Sequence, residues 1–257
     1  MKVVILCGGL GTRLREETEY RPKPLVEIGG RPILWHVMRL YAHHGFTEFV
    51  LALGHRGRMI REYFLNFEAL TRDITIRTGD RPGISFHGEP GPGFTVTCVD
   101  TGEATMTGGR IARVAAHLGG ERFAVTYGDG LADLDIAALV RFHAEQGRLA
   151  TVTAVRPNSR FGLLELGPDA GVRAFREKPP VDGWASGGFF VFEPEVLDRL
   201  TGDDCVLEQE PLESLARQGQ LAAYRHEGFF FAMDTYRDYL ALNQIWATGR
   251  APWKVWP

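Results

Sequence analysis

Apolar residues alternate between two spacings along this chain. Val3-Val4-Ile5-Leu6 is a continuous apolar run ended by Gly8-Gly9, the pattern of a strand buried on both faces. After Pro32, the residues Ile33, Leu34, Val37, Met38, Leu40 and Tyr41 recur at helical spacing until Gly45, which predicts a helix. Phe49 to Leu53 reads as a second strand, and Met59, Ile60, Tyr63, Phe64 and Phe67 mark a second helix. Residues 79–93 are rich in Gly and Pro and read as an irregular connection before a strand at Thr95 to Val99. A helix is expected from near Gly109, and a strand at Phe123 to Tyr127 leads into Gly128-Asp129-Gly130.

The second half repeats the theme. A helix from about Asp135 to Glu145 precedes a strand at Ala150 to Val155, and Gly162–Leu166 with Val172–Glu177 form a predicted hairpin. Phe189 to Phe192 reads as a further buried strand, with helices around Glu208 to Gln218 and Thr235 to Trp246. Helices between strands predict an α/β, Rossmann-like fold. It has a mostly parallel mixed sheet with helices on both faces, built by residues 1–257 as one domain with a small insertion at about 79–107.

The 257 residues suffice for a sizeable core, and 44% hydrophobic with 24% charged residues exclude a disordered chain, a collagen or a disulfide scaffold. No apolar run approaches the roughly 20 residues of a membrane span, and Met1-Lys2 opens straight into a strand-like run. A cytoplasmic protein without a membrane partner is expected. A net charge of −3 is too near neutral to argue for nucleic acid or membrane as a partner, and neither is expected. Cys7, Cys98 and Cys205 are far apart and sit beside apolar residues, so buried free thiols are expected. His43-His44, just before Gly45, reads as helix-end chemistry rather than a metal site.

The basic residues are more informative. Only four are lysines (Lys2, Lys23, Lys178, Lys254) against twenty-five arginines. The two interior lysines each precede a proline, in Pro22-Lys23-Pro24 and Glu177-Lys178-Pro179. Lysine offers a compact point charge to a phosphate, where arginine offers a planar fork.

In open α/β sheets, ligands sit beyond the carboxyl ends of the strands. The loop after the first strand, Leu6-Cys7-Gly8-Gly9-Leu10-Gly11-Thr12-Arg13-Leu14, brings three glycines that let backbone amides approach an anion. It lacks the Gly-Lys-Ser/Thr of a Walker A loop, and Leu14 stands where a dinucleotide fingerprint needs Gly or Ala. A long loop with Arg13 near its start and Lys23 near its end suits a triphosphate.

Gly-Gly-x-Gly-Thr-Arg-Leu followed by Pro-Lys-Pro resembles the signature of the sugar-1-phosphate nucleotidyltransferases. Further stretches extend the resemblance over nearly the whole chain: Tyr127-Gly128-Asp129-Gly130, Gly187-Gly188-Phe189-Phe190-Val191, Glu208-Gln209-Glu210-Pro211-Leu212 and Met233-Asp234-Thr235. Met106-Thr107-Gly108-Gly109-Arg110 is similar to the branch that transfers a cytidylyl group from CTP to glucose 1-phosphate. The resemblance implies Mg²⁺ on Asp129 and Asp234, although Asp234 or Thr235 also reads as the cap of the following helix. It implies a nucleotide site of Leu6, Gly8, Gly9, Gly11, Thr12, Thr107, Gly109, Arg110 and Gly128. The implied sugar site is Gly162, Glu177, Ser186, Gly187 and Gly188, with Ser186 standing where the family usually has Asn.

Within that expectation Arg13 faces the leaving phosphates, Lys23 the α-phosphate and Lys178 the incoming sugar phosphate. Arg110 is expected either to donate to cytosine, with backbone carbonyls near Gly8 accepting from its amino group, or to be a surface residue early in a helix. The alternatives are thymidylyl or uridylyl transfer, or a non-catalytic nucleotide-sugar binding module. A nicotinamide oxidoreductase lacks its fingerprint. A homo-oligomer is expected, with residues 79–107 and the tail Trp253–Pro257 as candidate contacts.

Overall fold

The computed structural model describes residues 1–157, 161–169, 171–177 and 183–257. Seven strands form the central sheet: β1 (Val3–Cys7), β2 (Glu48–Leu53), β3 (Thr95–Asp100), β4 (Phe123–Tyr127), β5 (Ala150–Val155), β6 (Ala185–Phe192) and β7 (Leu221–His226). Their order is β7-β5-β6-β4-β1-β2-β3. Six of the seven run parallel, and β6 pairs antiparallel with both β5 and β4. This is the mostly parallel mixed sheet that the sequence predicts.

Every residue of β1 is buried, and alternate side chains enter two separate cores. Val3, Ile5 and Cys7 pack against helix α1 (Ile33–His43), whereas Val4 and Leu6 pack against Ile111 and Val114 of helix α2 (Thr107–Val114). A continuous apolar run is therefore what a two-sided sheet requires. Helix α3 (Tyr236–Ala247) starts at Thr235, whose hydroxyl accepts from the Asp238 N–H while Asp238 accepts from the Thr235 N–H. This capping box settles the cap on Thr235 and leaves the Asp234 carboxylate for other work.

The irregular connection expected at residues 79–93 is corrected. Gly83–His87 is a strand paired with Asp73–Arg77, with Ile74 opposite Phe86 and Ile76 opposite Ile84. The alternation of those four residues fixes the register, and the Gly/Pro-rich stretch between supplies the turn. The predicted 162–177 hairpin is present as Leu163–Leu166 with Val172–Arg176. Of the three cysteines only Cys7 is fully buried; the others are half-buried. No described helix is long and apolar enough to cross a membrane.

Candidate active site

The carboxyl ends of β1 and β4 lie side by side, so the glycine loop and the Gly128-Asp129-Gly130 turn emerge together. The Gly128 N–H donates to the Leu6 carbonyl at 3.2 Å, and a side chain on Gly128 would press on Pro24 and that carbonyl. Gly11 has φ +65° and abuts Thr18, whose hydroxyl donates to the Gly11 and Leu14 carbonyls. A Cβ there would be both strained and crowded. Gly9 and Thr12 remain exposed at the loop tip.

Asp129 and Asp234 are far apart in sequence and adjacent in space. Two three-residue strands join them: Gly130–Ala132 pairs with Phe230–Ala232, and the Met233 N–H donates to the Asp129 carbonyl at 3.0 Å. Lys23 reaches in from a short turn and places its Nζ 2.6 Å from Asp129 Oδ2 and 3.0 Å from Asp234 Oδ1. Burial alone would lower the Lys23 pKa, but the Asp129 and Asp234 carboxylates outweigh it and hold the ammonium above its ordinary value. Arg13 stands exposed beside them, Nη1 3.5 Å from Asp234 Oδ2. Two cations from one loop and two carboxylates from two distant turns therefore share one crevice.

Next to this cluster lies a cavity of about 260 Å³, lined by the glycine loop, Lys23, Asp129, Tyr127 and Thr105–Thr107. A larger cavity of about 560 Å³ opens between Phe64, Phe67 and Phe94. It includes none of the converging loop ends, and neither Lys23 nor Asp129 lines it.

Arg110 does something other than either reading expected. It is 5% exposed, not a surface residue. Its Nη1 donates to Thr101 Oγ1 and the Gly102 carbonyl at 2.7 Å and to the Leu53 carbonyl at 3.2 Å. Its Nη2 donates to the Gly8 and Glu103 carbonyls at 3.0 and 3.1 Å. The terminal N–H groups are thus engaged within the protein, and the Gly8 carbonyl accepts from Arg110 with one of its two acceptor positions. The expected donor to the base becomes a brace beneath the loop, and Gly8 is glycine because a side chain would collide with that guanidinium.

Thr107 and Gly109 also meet the loop that precedes Glu208, while Thr107 lines the cavity. The Gly108 and Gly109 N–H groups donate to the Cys205 carbonyl, and a Cβ on Gly109 would lie 2.8–2.9 Å from the Gly202 and Asp203 carbonyls. These glycines admit a protein loop. The Thr107 hydroxyl donates to Glu208 and accepts from the Leu207 N–H.

The sugar-site residues fall in two places. Gly162 lies in the hairpin, where a side chain would strike Phe175 and approach Glu177 Oε2. Ser186, Gly187 and Gly188 begin β6, where the pairing with β5 shifts register. Gly188 has φ +73° and lies against the Tyr127 ring, and the Ser186 hydroxyl accepts from its N–H at 3.3 Å. Lys178 lies outside the described residues. Sequence reasoning assigned no role to Tyr127 or Glu208, although both stand within motifs that it singled out.

This crevice lies at the carboxyl edge of an α/β sheet covered on both faces, an arrangement suited to a phosphate-handling transferase, and the chain belongs to the nucleotidyl transferase family, whose model matches residues 2–236. It is 50% identical, over 259 residues covering all of both chains, to a glucose-1-phosphate cytidylyltransferase of Salmonella typhi. It is 49% identical, again over the whole of both chains, to a glucose-1-phosphate cytidylyltransferase of Salmonella typhimurium. Among solved structures, HddC from Yersinia pseudotuberculosis superposes with a TM-score of 0.70 at 22% identity, covering 95% of this chain and 99% of that one.

Proposed function

We propose that this protein transfers the cytidylyl group of CTP to glucose 1-phosphate, giving CDP-glucose and pyrophosphate, with Mg²⁺ as cofactor and in the cytoplasm. The observation that carries the reading is Lys23 clamped between Asp129 and Asp234 at the mouth of the glycine loop. Whole-length similarity to cytidylyltransferases supports the choice of substrates.

The reaction sets a sugar phosphate of about −2 against a triphosphate of about −4, a repulsion of several kcal/mol at an effective dielectric of about 20. The nucleophile is already ionised, so no strong base is needed. A sugar-phosphate oxygen attacks the α-phosphorus, the bond to the bridging oxygen breaks, and pyrophosphate leaves. Catalysis reduces to in-line positioning and charge neutralisation.

Lys23 neutralises the α-phosphate, and its elevated pKa keeps it charged. Arg13, on the exposed side, takes the leaving phosphates with its fork. Loop amides from Gly9 to Thr12 complete that cradle, Arg110 holds it in shape, and Glu177, Lys178 and Ser186–Gly188 receive the sugar phosphate.

Asp129 and Asp234 would hold the metal. Their oxygens already converge on one ammonium, and Mg²⁺ characteristically takes one or two carboxylates and completes its shell with waters and substrate phosphates. Among the described residues no cluster of three or more His, Cys, Asp or Glu offers an all-protein cage. Bound Mg²⁺ would supply further neutralisation of the phosphates.

Pyrophosphate release with each nucleoside triphosphate and glucose 1-phosphate tests the reading. CTP should be preferred; a clear preference for UTP or dTTP would reject it. The reading includes a homo-oligomer, supported by the exposed apolar faces at Ile76 and Ile84 and at Leu164 and Phe175. Sedimentation at a single monomer mass would reject that part.

A further inference from the structure

The loop 202–208 belongs neither to the glycine loop nor to the aspartate turns, yet its last residue braces two walls of the nucleotide cavity. Glu208 Oε2 accepts from the Thr107 hydroxyl at 2.7 Å, and Glu208 Oε1 accepts from the Tyr127 phenol. Thr107 and Tyr127 line the cavity with Gly8, Gly9, Lys23 and Asp129.

A carboxylate has about four acceptor positions. Among the described residues each Glu208 oxygen receives one hydrogen bond, which leaves capacity on both oxygens of an exposed side chain. Two adjacent oxygens with spare capacity suit a pair of neighbouring hydroxyls, as when an acidic residue holds a ribose. Phosphates belong with Lys23 and Arg13. The nucleoside then occupies the remainder of the cavity towards Thr107, and its ribose, joining base to phosphate, runs along Tyr127-Gly128.

We propose that Glu208 is a specificity-determining residue that accepts hydrogen bonds from the vicinal hydroxyls of the ribose and so selects ribonucleotides over deoxyribonucleotides. This rests on the cytidylyl reading above. The sugar substrate carries vicinal hydroxyls too, and Tyr127 also packs on Gly188 of the sugar-side strand.

The test compares kcat/KM for CTP and dCTP, and for glucose 1-phosphate and 2-deoxyglucose 1-phosphate, in the wild type, Glu208→Ala and Glu208→Gln. Titration calorimetry with CTP and dCTP, without sugar phosphate, gives a readout independent of turnover. The wild type should favour CTP by about tenfold or more. Glu208→Ala should bring that ratio to within about threefold of unity, Glu208→Gln should fall between, and the sugar ratio should not move. Glu208→Gln keeps the shape of the side chain, so it remains informative if the alanine variant does not fold. Equal use of CTP and dCTP by an active wild type overturns the proposal. So does a preference retained in both variants, or a change in the sugar ratio instead. A wild type that neither binds nor turns over CTP sinks the cytidylyl reading, and this proposal with it.

Discussion

Two contacts tie the C-terminal segment to the first forty residues, and they treat buried charge in opposite ways. At the sheet's carboxyl edge Asp234 meets Lys23, and the ammonium keeps its proton because two carboxylates face it. In α1, His36 is fully buried among Trp246, Trp253 and Trp256. Its Nε2 donates to the Ile28 carbonyl at 2.9 Å and its Nδ1 accepts from the Trp253 indole N–H at 3.3 Å, a pairing that assigns the neutral tautomer. Burial lowers its pKa to about 4. Burial disfavours charge at both places. What differs is the supply of counter-charge: a site that must meet anions retains its cation, and a core that only holds a terminus discards it.

The sharpest way to break this contrast is to remove the site's cation. Lys23→Met should lower kcat by about 10³-fold, because charge developing in the transition state loses a preorganised partner. Lys23→Arg should still lose at least about tenfold, since the planar fork cannot sit between two carboxylates as a point charge does. Pyrophosphate release measures both; near-normal turnover of the arginine variant would show that ammonium geometry is irrelevant.

Arg110 is a third buried basic group and sits between the two cases. It retains its charge without any carboxylate among its hydrogen-bond partners, satisfied by four backbone carbonyls and the Thr101 hydroxyl. Arg110→Met should destabilise the fold by about 3 kcal/mol, because several buried acceptors lose their donors at once. Chemical denaturation checks this, and a loss below about 1 kcal/mol would mean that the loop finds other donors.

The His36 side of the contrast predicts a pH dependence. The folded state keeps this imidazole neutral down to about pH 4, whereas the unfolded chain takes the proton near its ordinary value of about 6.5. Its contribution is therefore complete above about pH 6.5 and is lost as pH falls towards 4, a difference of about 3 kcal/mol. His36→Phe should flatten the melting temperature between those pH values. An unchanged slope would assign the acid sensitivity to other groups.

The strands, most helices and the glycine loop were legible because each rests on local spacing. Lys23 was legible through scarcity, as one of two interior lysines in an arginine-rich chain. What joins Asp129 to Asp234 was not, since two paired strands of three residues leave no periodic trace. Gly108 and Gly109 show a different limit. Glycines announce that something comes close, but not whether it is a nucleotide or, as here, the Cys205 loop. A buried arginine satisfied by carbonyls rather than a carboxylate leaves no sequence signal either.

The smallest effect is expected at Ser186, which belongs to neither cluster and so separates reach from charge and core packing. Its hydroxyl accepts from the Gly188 N–H and supports the left-handed turn against Tyr127. An asparagine carbonyl can accept the same bond, so Ser186→Asn should preserve the turn and change chiefly the length and donor capacity of the side chain. If Ser186 faces the sugar, the amide should replace a water-bridged contact by a direct one and lower KM for glucose 1-phosphate about two- to fivefold, within the worth of one hydrogen bond. The KM for CTP should hold constant. Should both constants shift together, the substitution has moved Tyr127, and residue 186 acts through the turn rather than on the sugar.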